Sequence, residues 1–314
     1  MTSTPLLEQG DELRRVASGT RWAEGPVWLP ERRAVRFSDI PNNRIVEFSE
    51  ETGDLTVFRD DAEFTNGRTL DLEGNVVECS HGRRAIQRDT AVRPGNSPAP
   101  RTLVDRYASV RLNSPNDVVV KSDGTIWFTD PSYGIMRPDE GHPGEEEYGD
   151  RYVFRFDPQE GSVVPVVIDI EAPNGLAFSP DEKTLYVTDS SVDPASGTVD
   201  PDRRVGHAIH AYDVYGGRHA KNGRVFTEVV PGLPDGIRVD EHGNVWSSSL
   251  DAVQVFTPAG ERILQILVPE KVGNLCFGGD DGRTLYVAAT SGLYRIRTTV
   301  RDAVHVARKA ATAR

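Results

Sequence analysis

Apolar and polar positions alternate along this chain in short runs, and six of the runs share one pattern. They are AVRFSD (Ala34–Asp39), NVVECS (Asn75–Ser80), TIWFTD (Thr125–Asp130), TLYVTD (Thr184–Asp189), NVWSSS (Asn244–Ser249) and TLYVAA (Thr284–Ala289). β-Branched and aromatic residues between tight turns predict strands here. Counting back 14 or 15 residues from each final position reaches one polar residue: Glu24, Asn66, Asn116, Asn174, Asp235 and Asn274. Each sits in a turn, within EGPVW, TNGRTLD, PNDVVV, PNGLAF, PDGIRV and GNLCFG, that leads into a further apolar stretch. A polar-turn, strand, turn, strand unit repeated six times predicts an all-β, six-bladed propeller with one unit per blade. No sustained helical period competes with it.

Four strands can be read in blade 1: PVWLP, AVRFSD, RIVEFS (Arg44–Ser49) and LTVFRD (Leu55–Asp60). Blade 3 repeats them as VVVKSDG, TIWFTD, YVFRFDP and VVPVVID. The first and last intervals between run ends match the roughly 40–45 residues of a four-stranded blade. The three middle intervals are longer. The excess falls in Arg88–Arg101, Gly134–Asp150 and Ser191–His207, each rich in Pro, Gly and charge and so expected to form loops. The last blade has no good fourth strand after GLYRIR (Gly292–Arg297), whereas Glu12–Ser18 is a spare strand at the other end. It is expected to pair beside Gly292–Arg297 and close the ring, which removes an exposed edge. One domain then fills 1–314, with a core of about 12–298 and a tail, 299–314, expected to fray.

Composition narrows the partners. With 36 basic and 48 acidic residues the net charge is −12, which repels nucleic-acid phosphates and anionic lipid, so neither nucleic acid nor membrane is an expected partner. No run approaches the ~18 apolar residues of a membrane span. The segment MTSTPLLEQGDELRR has no basic start followed by an apolar stretch, so no signal peptide is expected and a cytoplasmic location is. Cys79 and Cys276 lie within strand patterns and read as buried thiols, and Trp28, Trp127 and Trp246 read as core.

The six turn residues carry the candidate chemistry. Four are Asn and two are acids, Glu24 on the inner turn of blade 1 and Asp235 on that of blade 5, with Asn174 beside Asp235. Amide and carboxylate oxygens are hard ligands, and two carboxylates match the charge of a divalent cation. Buried carboxylates are costly unless paired or metal-bound, and no Lys or Arg occupies the other turn positions. An all-oxygen set favours Ca²⁺, with Mg²⁺, Mn²⁺ and Zn²⁺ remaining open. Asn and Asp also cap ordinary turns, but Glu24 is not a turn-favoured residue.

EGPVW, RLNSPNDVVVKSDGTIWFTDPSYG, APNGLAFSPDEKTLYVTDS, LPDGIRVDEHGNVW and NLCFGGDDGRTLYVAAT together resemble the senescence-marker/gluconolactonase/luciferin-regenerating family, in its bacterial gluconolactonase branch. The resemblance runs from about Arg21 to Arg297. It implies a six-bladed propeller, a divalent metal at the axis and hydrolysis of a sugar lactone, a small-molecule substrate. By the same resemblance Glu24, Asn174 and Asp235 match the family's metal ligands, and Asn116 matches a residue that adds a fourth contact or meets substrate. An Arg stands two residues before that Asn in the animal proteins. Here the place is held by Ser114, with Arg111 further upstream, so both are candidate substrate contacts.

His81 and Tyr133 each follow a strand run and are candidates for the pocket wall; His142 belongs to the acidic insertion. Asp130 and Asp189, closing the repeated TD motifs, fit hydrogen-bonding roles better than catalysis. Asp235 is the candidate general base for an attacking water. The same polarised-electrophile logic would serve a phosphotriesterase or arylesterase, and a metal-binding propeller without catalysis is the reading from another class.

Overall fold

The computed structural model describes residues 5–90, 99–191 and 206–304. Residues 91–98 and 192–205 of two expected loops, and 305–314 of the tail, lie outside the described residues. Six four-stranded antiparallel sheets follow one another around an axis; five are meanders of consecutive strands from the inner one outwards, and the sixth takes its outer strand from the other end of the chain. Blade 1 comprises Ala23–Leu29, Ala34–Asp39, Arg44–Ser49 and Leu55–Asp60. Blade 3 comprises Val118–Val120, Ile126–Asp130, Tyr152–Asp157 and Ser162–Val167, close to the strands expected from sequence. In blade 6, Arg14–Ser18 pairs antiparallel with Gly292–Arg297, in the register Arg14 with Arg295 and Ser18 with Gly292. The N-terminal strand thus closes the ring, beginning two residues later than expected.

The expectation that the chain frays from 299 needs correction. Thr299 donates its N–H to the Leu6 carbonyl at 2.9 Å, Val300 is buried in the core between blades 5 and 6, and Asp302 bridges to Asp240. These contacts hold the chain through 304 against the end of the ring where an apolar cavity of about 600 Å³ opens on Cys276, Phe277 and Ala303.

Most blade interfaces are apolar. Trp246 with Phe277, Val287 and Tyr294 fills the space between blades 5 and 6, and Trp127 with Leu185 and Val187 fills that between 3 and 4. The interface of blades 1 and 2 differs. Arg36, only 1 % exposed, lies over the Phe58 ring at 3.4 Å and pairs with Glu47 at 3.0 Å and Asp89 at 3.5 Å. Arg59 joins Asp89 and Glu78, at 2.7 and 3.2 Å, across the same seam. Here a charged network accompanies a small apolar cluster of Val27 and Leu29 with Leu70 and Val76, and Arg36 and Arg59 each meet two carboxylates.

Both cysteines are free and buried, and burial raises both thiols, that of Cys276 to about 12. Neither thiolate forms readily near neutral pH. Native protein is therefore expected to react with a thiol reagent only on the timescale of unfolding. Rapid labelling of Cys79, the more enclosed of the two, would contradict this packing.

Candidate active site

At the end of the axis opposite the docked tail, a cavity of about 290 Å³ is lined by Glu24, Asn66, Asn116, Asn174 and Asp235. These are five of the six turn residues that the repeat spacing singles out. The backbone explains why they converge. Inner strands carry register irregularities between Glu24 and Val27, Thr65 and Arg68, and Pro173 and Leu176, at the point where the polar residue sits. Such bulges re-aim a side chain. Adjacent turns are joined by direct backbone bonds: Gly67 N–H to the Asn116 carbonyl at 2.8 Å, and Gly175 N–H to the Asp235 carbonyl at 3.2 Å. Glycine is required at this approach, since a Cβ on Gly67 would lie 2.4 Å from the Asn116 oxygen and one on Gly175 2.3 Å from that of Asp235.

The second strands complete the scaffold through two residues whose signal lay in the repeated FSD, FTD and VTD motifs. Hydroxyls of Ser38, Thr129 and Thr188 donate to the turn carbonyls of the next blade, those of Asn66, Asn174 and Asp235, at 3.0, 2.7 and 2.9 Å. The following carboxylates clamp the segment that enters their own inner strand. Asp39 accepts from Arg21 N–H at 2.9 Å, Asp130 from Asn113 N–H at 2.8 Å, and Asp189 from Ala172 N–H at 3.3 Å. Asp130 and Asp189 therefore act in hydrogen bonding, as their motif suggested.

The sixth turn residue points elsewhere. Asn274 is buried, accepts from Leu275 N–H at 2.8 Å and reaches Asp117 with its amide nitrogen at 3.5 Å. It also hydrogen-bonds the Glu24 carboxylate from beneath. Asp117 is the buried acid of this lower layer and faces the Arg238 guanidinium at 3.6 Å.

Electrostatically the cavity is short of positive charge. Burial, with the Asp117 charge behind it, raises the Glu24 carboxyl to about 7 even though Gly25 N–H donates to it at 2.8 Å. Asp235 is pushed well above the carboxylate range by burial and then by the charge of Glu24. Lys271 opposes this; it lines the cavity with its ammonium 5.0 Å from the Trp22 ring. Sequence reasoning missed Lys271 because it stands three residues before its blade's turn position. Of the other basic residues on the wall, Arg21 is exposed and Arg137 is paired with Asp139 and Glu140, so one lysine is left against two buried carboxylates, and the donor chemistry fits a divalent cation that Glu24, Asn116, Asn174 and Asp235 would hold. Among the described residues no three His, Cys, Asp or Glu side chains form a metal-holding group, so the two Asn oxygens are needed to complete such a set.

The remaining predicted residues divide. Tyr133 lines the cavity, at the start of a short helix, Tyr133–Met136. Ser114 does not: its hydroxyl donates to the Pro131 carbonyl at 2.7 Å and accepts from Gly134 N–H at 2.9 Å, fully buried beneath the turn that presents Tyr133. Arg111 lies in a two-strand hairpin paired with Arg106, its N–H on Glu147, away from the cavity wall. His81 is enclosed behind Asn66 rather than on the wall. The Gly134–Asp150 insertion supplies further wall through Arg137, Asp139 and Glu140, with Arg137 paired to both acids at 3.2 and 3.0 Å. His142 is exposed on that insertion and contacts Glu63 of blade 2 at 3.2 Å.

Comparison with known proteins places this arrangement. The family model described as "SMP-30/Gluconolactonase/LRE-like region" matches residues 22–291. A gluconolactonase of Zymomonas mobilis subsp. mobilis is 30% identical, over 93% of this chain and 83% of its own. A pentonolactonase of Haloferax volcanii is 29% identical, over 89% and 85%. The solved structure of a gluconolactonase from Xanthomonas campestris superposes with a TM-score of 0.81 at 34% identity, covering 94% of this chain and 95% of the other. With its six blades and the match across nearly the whole ring, the chain belongs to the SMP-30/gluconolactonase/LRE-like family.

Proposed function

We propose that this protein is a metal-dependent lactonase that opens a sugar lactone of the gluconolactone or pentonolactone class to its aldonic acid. The observation that carries the reading is the pair of mutually repelling buried carboxylates, Glu24 and Asp235, set with two Asn residues around a monosaccharide-sized cavity in a chain whose relatives are gluconolactonases and a pentonolactonase. Glu24, Asn116, Asn174 and Asp235 are the proposed ligands of one divalent ion, Ca²⁺ fitting the all-oxygen set best. Such an ion, when bound, supplies Lewis-acid polarisation of the lactone carbonyl.

The protein's own groups do the rest. Asp235 is held at its backbone by Ser248, whose hydroxyl accepts from Asp235 N–H at 2.9 Å, and by Gly175 and Thr188, which donate to its carbonyl. Its carboxylate therefore stays in place while one oxygen accepts a proton from the attacking water. The water oxygen bonds to the carbonyl carbon, the carbon–ring-oxygen bond breaks, and the proton passes to the departing ring oxygen, which leaves as a hydroxyl. Lys271 and Tyr133 on the wall are positioned to meet the polar edge of a polyhydroxylated ring. The names of the relatives favour a lactone over a phosphotriester or aryl ester.

Asp235→Asn keeps an oxygen at the site but removes the base, and kcat on gluconolactone is expected to fall at least ~10²-fold. Glu24→Gln should act through cation affinity, so excess metal recovers part of its rate. A pH-stat assay of a lactone panel, with and without EDTA and across a metal titration, reads both. Hydrolysis by Asp235→Asn as fast as the parent at saturating metal would refute the mechanism.

The raised Glu24 carboxyl has a consequence for stability. A carboxyl whose folded value, about 7, lies above its ordinary 4.5 stabilises the fold at low pH, and that contribution is lost as pH rises through the interval between the two. EDTA-treated protein is expected to show a Tm that drops between pH ~5 and ~8, steeper than in Glu24→Gln. Added divalent cation should raise Tm more at the upper pH. A metal-free Tm equally steep in both proteins would show that Glu24 is not the source.

A further inference from the structure

We infer that His81 is a positioning residue, which fixes the Asn66 side-chain amide with its carbonyl oxygen turned into the cavity and ties that orientation to the insertion walling the site. Three contacts carry the argument. His81 Nδ1 lies 2.9 Å from the backbone carbonyl oxygen of Glu140. A carbonyl only accepts, so Nδ1 bears the hydrogen. The ring is completely enclosed, and burial, opposed by that one bond, holds its pKa down at about 4, so it is neutral at physiological pH. A neutral imidazole protonated at Nδ1 has a lone pair on Nε2, and the atom 3.4 Å from Nε2 is the amide nitrogen of Asn66. That nitrogen is the donor. The amide carbonyl, on the opposite side of the planar group, then faces the cavity that Asn66 lines.

Without such a partner the two ends of an Asn amide are nearly isosteric and either can face a ligand. Here the backbone of Asn66 is also held, its carbonyl accepting the Ser38 hydroxyl at 3.0 Å. Asn66 thus turns a hydrogen-bond acceptor towards the cavity, suited to a hydroxyl group on the ligand. The insertion is part of the device. Gly134 passes so close that a Cβ on it would lie 2.5 Å from the His81 Cβ, and Arg84 reaches the Glu145 carbonyl at 2.9 Å, so the segment carrying Glu140 is packed down on the imidazole. Arg137, Asp139 and Glu140 on the cavity wall and the Asn66 amide are therefore set by one ring.

The assignment of a ligand hydroxyl to Asn66 rests on the lactonase reading; the hydrogen-bond relay does not. The experiment separates them. Long-range ¹H–¹⁵N spectra of ¹⁵N-His protein, with His81→Gln identifying the resonances, are expected to show a neutral ring protonated at Nδ1 from pH ~6 to ~8. A ring protonated at Nε2, or charged across that range, would overturn the proposal whatever the enzyme hydrolyses. In steady-state kinetics Asn66→Ala should raise KM for the lactone about 10-fold with a smaller change in kcat, the scale of one lost hydrogen bond. His81→Phe should raise KM in the same direction, and the double variant should be no worse than Asn66→Ala alone. Multiplying effects in the double variant would assign His81 a purely structural role and overturn its positioning one. If the parent hydrolyses no lactone, the function proposed above fails while the spectra still decide the relay.

Discussion

The constraint on which this molecule depends is how closely its inner strands approach at the axis. Gly67 and Gly175 bring their N–H groups directly onto the turn carbonyls of the next blade, and no side chain larger than hydrogen fits between. Gly236 makes the corresponding bond to Gly273 at 2.9 Å. Hydroxyls of Ser38 and Thr129 make the links from blade 1 to 2 and from blade 3 to 4, and that of Thr188 adds a second bond from blade 4 to 5. The polar turn residues thus sit on a hydrogen-bonded hoop, and their side chains have one common direction in which to project. Rigid support of this kind keeps a polar constellation within the small tolerance that chemistry needs.

The apolar wedges between blades determine the diameter of that hoop, and the exception between blades 1 and 2 is instructive. Arg36, Arg59, Glu47, Glu78 and Asp89 form a paired network there, and Arg68, between it and the axis, donates to the Gly25 carbonyl at 2.7 Å and the Ser38 hydroxyl. Charge is thereby packed directly behind the turn that carries Glu24. Replacing either partner of such a seam leaves an uncompensated buried ion, which costs about 3–5 kcal/mol. The seam that borders the site is thus held by directional contacts, whereas the other interfaces depend on volume.

Much of this was legible in the chain because a repeat writes its geometry as spacing. The interval from turn residue to strand end identifies Glu24, Asn66, Asn116, Asn174 and Asp235 without any tertiary knowledge, and the missing fourth strand after Gly292–Arg297 points to the N-terminal segment. What escaped was decided by contacts between segments without a common period. Ser114 and Asn113 precede Asn116 in RLNSPND, yet both are spent on backbone: Ser114 on Pro131 and Gly134, Asn113 on Asp130 and Asp150. Arg111 is drawn into a hairpin. Lys271, Arg137 and Glu140 reach the cavity from a loop and an insertion whose paths spacing does not encode. Nor did it reveal that Asn274 turns beneath Glu24 rather than into the cavity, or that residues 299–304 dock on the ring.

The hoop also explains why the site demands a counter-charge. In a flexible loop, two carboxylates relieve their repulsion by moving apart into solvent. Here Glu24 belongs to a strand whose next residue, Gly25, is pressed against the Asn66 carbonyl, and Asp235 is bonded through its backbone to Gly175, Thr188 and Ser248. Neither backbone can retreat without breaking bonds to the adjacent blade. The repulsion is relieved only by taking up a proton or by a cation between the acids, and the two outcomes compete for the same oxygens. Chain geometry far from any reacting atom therefore sets the electrostatic demand of the cavity. That demand links a glycine-dependent backbone contact to the cation-dependent chemistry proposed for this fold.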